Sequence, residues 1–346
     1  MAEPWFGLSR QDQAEALEVA AARTGRPAHL LEKDIWVVWV LSAIYGSGLA
    51  RTLTFKGGTS LSKVYRIIDR FSEDVDLTYD IRELVPDLLH DGNPIPISGS
   101  QEKKITSTVR GRLPGWIDTT VRPVIQEALS AAGLTATLTV AGKENEKLMV
   151  DYPALKAGTG YATASIQLEF GARATGEPNE IHSIACDAAA VIEGVEFPIA
   201  RPTTMAAQRT FWEKATAVHV YCLQGRLRGD RYSRHWYDLA AIAQSGQFES
   251  AVNDRVLARM VAEHKSMFFA EKGVDGGKID YFSAVAGAIN LVPTRDSRKA
   301  LERDYEAMLG DGLLALHQPK FDELMESCQA IEARINAGGA ASGAKF

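Results

Sequence analysis

The sequence is poor in cysteine: Cys186, Cys222 and Cys328 are the only three in 346 residues. None stands at the short spacing that metal-binding or redox pairs use, so they read as reduced, buried thiols without a chemical part. No run of about twenty apolar residues is free of charge, and Met1-Ala2-Glu3-Pro4 lacks the basic-then-apolar order of a secretory signal. The expectation is a cytoplasmic protein that spans no membrane. Positive charge is not in excess either. A formal net charge of -6 excludes a protein that coats nucleic acid indiscriminately, because that binding comes from neutralising phosphates with Lys and Arg. A local basic patch remains allowed, and no internal repeat is present. What the chain does have is 46% hydrophobic and 24% charged residues, enough for a buried core and for two globular units or one large domain with additions.

Ser9 and Asp12 are spaced as a capping box with Asp in place of Glu, and Ala16, Leu17, Val19 and Ala20 follow at helical spacing, so a helix is expected over 9–24. A second, very apolar helix is expected over 28–45, closed by a left-handed Gly46. Glu32, Lys33 and Asp34 inside it make it a core helix rather than a membrane span. Then come an extended 53–55, the turn Gly57-Gly58, a helix over 59–68 and an extended 75–79. Residues 91–100 form a loop by composition, and a long helix over 101–132 has Pro114 and Pro123 as its points of interruption. Strands are expected near 134–141, 146–151, 162–171 and 190–197. After Arg201-Pro202 the composition turns helical, near 203–222, 232–245, 250–263, 278–290, 297–309 and 318–336. The expected organisation is an α/β domain with N-terminal helices over 1–200, a helical domain over 201–337, and a small flexible tail over 338–346.

The chemistry concentrates at one place. Side chains two apart on a strand share a face and lie roughly 6.5 Å apart at the backbone, so Asp74 and Asp76 project together while Val75 and Leu77 face the core. Two such carboxylates suit Mg²⁺, a hard cation that takes oxygen ligands and keeps room for substrate phosphates. Upstream, Phe55-Lys56-Gly57-Gly58-Thr59-Ser60 puts two residues without Cβ where a helix begins and its N–H groups point outward, an arrangement suited to phosphate. Thr59 or Ser60 is the expected N-cap and a hydroxyl donor to a triphosphate. A third carboxylate would hold a second metal or take the acceptor's proton. Glu169 in Leu168-Glu169-Phe170 fits, although its alternating stretch fits a solvated strand face as well.

Gly57-Gly58-Thr59-Ser60, then Ser72-Glu73-Asp74-Val75-Asp76-Leu77, then Leu168-Glu169-Phe170, resembles the polymerase-β-type nucleotidyltransferase superfamily. More narrowly, the run from Glu32-Lys33-Asp34 through the glycine turn to Phe71-Ser72-Glu73-Asp74-Val75-Asp76-Leu77 resembles the AbiEii-like nucleotidyltransferase toxins of abortive-infection and toxin–antitoxin systems. Glu213-Lys214-Ala215 and His235-Trp236-Tyr237-Asp238-Leu239 match a later lysine and aspartate of that family in type and order. The likeness covers roughly 30–245.

The resemblance implies an α+β fold with a polymerase-β-like core, a mixed sheet and a helical C-terminal domain. It also implies transfer of a nucleoside monophosphate from a nucleoside triphosphate to RNA, at the 3′ end of tRNA, with Mg²⁺ as cofactor and a cognate antitoxin as partner. On this reading Asp74, Asp76 and Glu169 hold the metal, and Lys56, Gly57, Gly58, Thr59, Ser60 and Ser72 line the nucleotide. Lys214 supplies a point charge to the phosphates and Asp238 orients it or another basic side chain. Arg226, Arg228, Arg231, Arg234, His235 and Trp236, with Tyr232 and Tyr237 interleaved, offer cations for phosphates and aromatic faces for unstacked bases. Three alternatives stand beside it: transfer of the nucleotide to a protein, an Asp-x-Asp glycosyltransferase, and a non-catalytic RNA-binding module.

Overall fold

The computed structural model describes residues 2–72, 74–156, 163–225, 227, 231–310 and 318–341. Ser9 caps the first helix, α1 (Arg10–Thr24), by accepting from the Asp12 backbone N–H while its hydroxyl donates to the Asp12 carboxylate at 2.7 Å. Gly25, at φ 72°, ends it in the left-handed region. The second helix, α2 (Ala28–Tyr45), is enclosed on most sides, with Leu31, Ile35, Val38, Leu41 and Ile44 fully buried. Gly46 closes it, but at φ -81° in the right-handed region, with its N–H still bonded to the Ser42 carbonyl. The helix therefore runs out through one more right-handed residue, contrary to the left-handed stop expected there.

The three charges inside α2 are buried, and each is satisfied, as burial of charge requires. Glu32 accepts from the Leu155 and Lys156 backbone N–H groups, and Lys33 donates to the Thr163 carbonyl. Asp34 pairs with Lys63 and accepts from the Asp187 N–H.

Among the described residues, seven strands make one mixed sheet. In chain order they are β1 (Leu53–Lys56), β2 (Asp74–Asp80), β3 (Thr137–Ala141), β4 (Lys147–Asp151), β5 (Ser165–Ala174), β6 (Asn179–Ile181) and β7 (Thr203–Met205). Their spatial order is β3-β4-β5-β2-β1-β7-β6. β2 runs antiparallel to β1 and parallel to β5. Between β1 and β2 lies α3 (Gly57–Lys63), shorter than the expected helix to 68. The fold is α+β with a mixed sheet, as the resemblance implied.

Some boundaries moved for physical reasons. The long helix is α4 (Gly99–Trp116), a π-helical turn at Ile117–Val121, and α5 (Arg122–Ala131). Pro114 sits inside α4 without breaking it, and the irregularity falls just ahead of Pro123, whose ring removes an N–H from the ladder. The strand expected over 190–197 shrinks to Val195–Glu196, while the start of the stretch read as helical from 203 is strand β7. Short Thr- and Val-rich segments are ambiguous until a neighbouring strand pairs with them.

The chain divides into two compact units. The first comprises Met1–Val64, Phe71–Pro94 and Lys103–Met205; the second comprises Tyr65–Arg70, Ile95–Glu102 and Ala206–Phe346. The main helices of the second are α6 (Ala207–Gln224), α7 (Ser233–Ala243), α8 (Gln247–Asn253), α9 (Arg255–Phe268), α10 (Arg295–Gly310) and α11 (Phe321–Ala341). The helix α11 continues to Ala341, into the segment read as a tail. Among the described residues no helix is long and apolar enough to cross a membrane, and the three cysteines are free thiols.

Candidate active site

Strand β2 sorts its side chains by alternation: Asp74 and Asp76 are half-buried on one face, and Val75 and Leu77 are fully buried on the other. In the parallel ladder with β5, Gln167 stands opposite Asp74 and Glu169 opposite Asp76. Residues opposite each other in a ladder share a face, so all four lie on one side of the sheet. The Gln167 amide donates to Asp74 Oδ1 at 2.9 Å, which fixes that carboxylate. Lys147 of β4 stands opposite Glu169, with its ammonium 3.0 Å from Glu169 Oε2.

The glycine turn presses on this face. Gly57 has φ 79°, and a Cβ added there would come within 2.8 Å of Asp76 Cγ. Only glycine permits both the backbone conformation and the approach. The turn and the acidic strand are therefore in van der Waals contact through Asp76, and Lys56 is paired with Asp76 across β1 and β2.

The N-cap expectation fails at this turn. The N-cap of α3 is Lys56 with no side-chain capping bond, not Thr59 or Ser60. Thr59 is buried with its hydroxyl donating to the Asp74 and Ser72 carbonyls, and Ser60 is fully buried with its hydroxyl on the Gly57 carbonyl at 2.9 Å. Both hydroxyls bond inward to backbone carbonyls. Ser72 is half-buried, and Glu73 lies outside the described residues.

As a test for Mg²⁺, the donors suit a hard cation: two carboxylates on one face, incompletely buried, beside a backbone turn. Among the described residues no three His, Cys, Asp or Glu side chains converge as a ligand set, and the Glu169 carboxylate is turned to Lys147. A Mg²⁺ site needs no such cage, because that ion is held by one or two carboxylates together with waters and substrate phosphates. Asp74 and Asp76 fit.

The second unit holds a different arrangement. Asp238 of α7 is fully buried, and Arg70 grips it with two hydrogen bonds, Nε to Oδ1 at 2.7 Å and Nη2 to Oδ2 at 2.8 Å. Lys214 of α6 places its ammonium 2.8 Å from Asp238 Oδ2, its side chain only 11% exposed. This lysine is not the solvated side chain that an amphipathic helix ordinarily carries. Burial alone would raise the Asp238 pKa, but the Arg70 and Lys214 charges and their hydrogen bonds outweigh it and hold the carboxyl far below its usual range.

The basic, aromatic segment only partly matches its expected surface. Trp236 is fully buried with its indole N–H on the Leu291 carbonyl at 2.7 Å, so it is a core residue and offers no face to a base. The His235 pKa is lowered well below its usual value, chiefly by burial and then by Lys214 and Arg234. Arg231 is exposed and Arg234 half-buried. Arg226 and Arg228 lie outside the described residues.

Sequence reasoning missed Arg70, Lys147 and the hold of Gln167 on Asp74. The last two become legible once β4, β5 and β2 are put in register; Arg70 sits in an irregular stretch whose pattern announces nothing.

A sequence model of the family described as nucleotidyl transferase AbiEii toxin, type IV toxin–antitoxin system, matches residues 39–327. No curated protein matches significantly. Among solved structures the chain is similar to MenT4, a nucleotidyltransferase toxin from Mycobacterium tuberculosis H37Rv. The identity is 17% over 96% of this chain and 89% of that one, with a TM-score of 0.46.

Proposed function

This chain belongs to the AbiEii family of nucleotidyltransferase toxins of type IV toxin–antitoxin systems, and on that footing we propose that it transfers a nucleoside monophosphate to RNA, at the 3′ end of tRNA, using the acidic face of β2. The observation that carries this reading is the contact of the Gly57 turn with Asp76, beside Asp74 and in register with Glu169.

Asp74 and Asp76 would hold Mg²⁺, which when bound neutralises phosphate charge and orients the triphosphate. The backbone of Gly57-Gly58 lies against the phosphates, and Lys56 adds a cation on the strand that leads into the turn. The acceptor hydroxyl oxygen forms a bond to the α-phosphorus as the bond from that phosphorus to the α–β bridging oxygen breaks. Pyrophosphate leaves, and Glu169 takes the hydroxyl proton or serves as a further metal ligand. Lys214, held by Asp238, offsets the charge that builds on the pyrophosphate. Arg231 and Arg234 supply cations for acceptor phosphates. Arrest of translation by a blocked tRNA end would account for toxicity, in the cytoplasm and in abortive infection, until the cognate antitoxin intervenes.

The test is incubation of the purified protein with each labelled nucleoside triphosphate, Mg²⁺ and total RNA. The expected result is label in the tRNA fraction with one pyrophosphate released per transfer, and neither with Asp74→Ala. Label on protein instead of RNA would move the acceptor to a polypeptide. Release of a free nucleotide only from nucleotide sugars would point to glycosyl transfer, and binding of RNA with no triphosphate consumed would remove catalysis altogether.

A further inference from the structure

Strand register lines up four charged residues across the sheet of the first unit. Lys56 of β1 stands opposite Asp76 of β2, Asp76 opposite Glu169 of β5, and Glu169 opposite Lys147 of β4. Paired strands lie about 4.8 Å apart, so the two acids in the middle are set side by side, where like charges repel. The next row is built differently: Asp74 stands opposite Gln167, whose neutral amide donates to it, and Gln167 stands opposite Met149. Strand β4 therefore carries a lysine in the row where β5 carries an acid, and an uncharged side chain in the row where β5 carries an amide. The Lys147 ammonium lies 3.0 Å from Glu169 Oε2, and the lysine side chain is only 25% exposed. Its neighbour Leu148 is fully buried on the opposite face of the strand, which fixes the backbone that Lys147 stands on.

We propose that Lys147 is a positioning residue for the metal: it draws the Glu169 carboxylate away from Asp76, so that Mg²⁺ is held by Asp74 and Asp76 and completed by the triphosphate. This rests on the part of the proposed function that puts the ion on those two aspartates. Of the two parts open to Glu169, it removes that of metal ligand. Affinity for a hard cation rises with the number of charged ligands. A third carboxylate within reach would bind the ion before any nucleotide arrived. With Glu169 turned to Lys147, firm binding waits for the phosphate oxygens.

Mn²⁺ reports this without turnover, because its electron paramagnetic resonance signal in water is lost when a protein binds it. The ion is titrated into the full chain and its variants with no triphosphate present, and melting curves accompany each titration. Lys147→Met should bind Mn²⁺ about tenfold more tightly than the wild type. Lys147→Arg, which keeps a cation for Glu169, should stay within about twofold of the wild type. In a Glu169→Gln background the same Lys147→Met change should alter the affinity by no more than about twofold. Loss of a positive charge acting only through space would instead tighten binding by the same factor in both backgrounds. Asp74→Ala should lose the binding.

Equal Mn²⁺ affinity in Lys147→Met and the wild type overturns the inference, and so does an equal gain in the two backgrounds. Nucleotide transfer by a wild type for which either result holds leaves the proposed function standing and removes only the part given to Lys147. The expected order of affinities in a chain that transfers no nucleotide keeps the inference and removes the activity. Mn²⁺ binding that survives Asp74→Ala unchanged removes the metal site, and the inference with it.

Discussion

The acidic face of the first unit and the cationic cluster of the second are built on opposite plans. Asp74, Asp76 and Glu169 are half-buried, and the contacts at them include the Gln167 amide, the Gly57 turn and the Lys147 ammonium. Asp238 is fully buried and receives three hydrogen bonds from two cations. Carboxylates that must exchange water for a metal and phosphates have to stay partly open. A carboxylate whose work is to hold other side chains can be sealed in. The difference teaches which carboxylates can be removed without harm to folding: loss of half-buried Asp74 should spare the fold, and loss of fully buried Asp238 should not.

The largest effect that sharpens this contrast is Asp74→Ala, which should lower transfer by about a thousandfold or more and abolish growth inhibition with little change in melting temperature. Full growth inhibition by that variant would break the account of the first site. Next is Asp238→Ala, which takes away the buried carboxylate that Arg70 and Lys214 share. It should cost about 3–5 kcal/mol of stability in a denaturant titration, whereas Lys214→Ala, with Asp238 still paired to Arg70, should cost far less stability while impairing triphosphate use.

Gly57→Ala comes third. A Cβ in the left-handed region and against the Asp76 carboxylate should cost about 1–3 kcal/mol, and the displaced acid should lower transfer about a hundredfold. Wild-type rates in this variant would detach the turn from the chemistry.

The smallest effect concerns pH. The Asp238 pKa is depressed in the folded protein below its ordinary 3.8, so its contribution to stability is fully present above that value. It is lost as pH falls through the depressed folded value. The stability gap between the wild type and Asp238→Asn should therefore stay flat from neutral pH down to about 4 and close only below. A gap that closes between pH 7 and 5 would show that some other group governs it.

How much of this was legible in the sequence follows from the range of the interactions. Local patterns were readable: the Ser9 cap, the alternation that turns Asp74 and Asp76 away from Val75 and Leu77, the paired glycines, and the order of Lys214 before Asp238. Interactions set by register or by distant packing were not. Thr59 and Ser60 looked like exposed caps because their spacing from the turn is right, yet the turn folds their hydroxyls inward onto the Asp74, Ser72 and Gly57 carbonyls. Trp236 sits among arginines in sequence but packs into the core. Arg70 and Asp238 are 168 residues apart, and no periodicity spans that separation. The polar residues of α2 were correctly read as inside a core helix, but which backbone groups they satisfy depends on segments that come far later.

The most direct measurement is a crystal structure with Mn²⁺ and a non-hydrolysable analogue of the triphosphate that the protein consumes. The expected result is a metal peak within about 2.3 Å of an oxygen from each of Asp74 and Asp76, with the analogue's phosphates lying over Gly57 and Gly58. A metal and triphosphate bound together elsewhere on the protein, with those two aspartates facing only solvent, would contradict it.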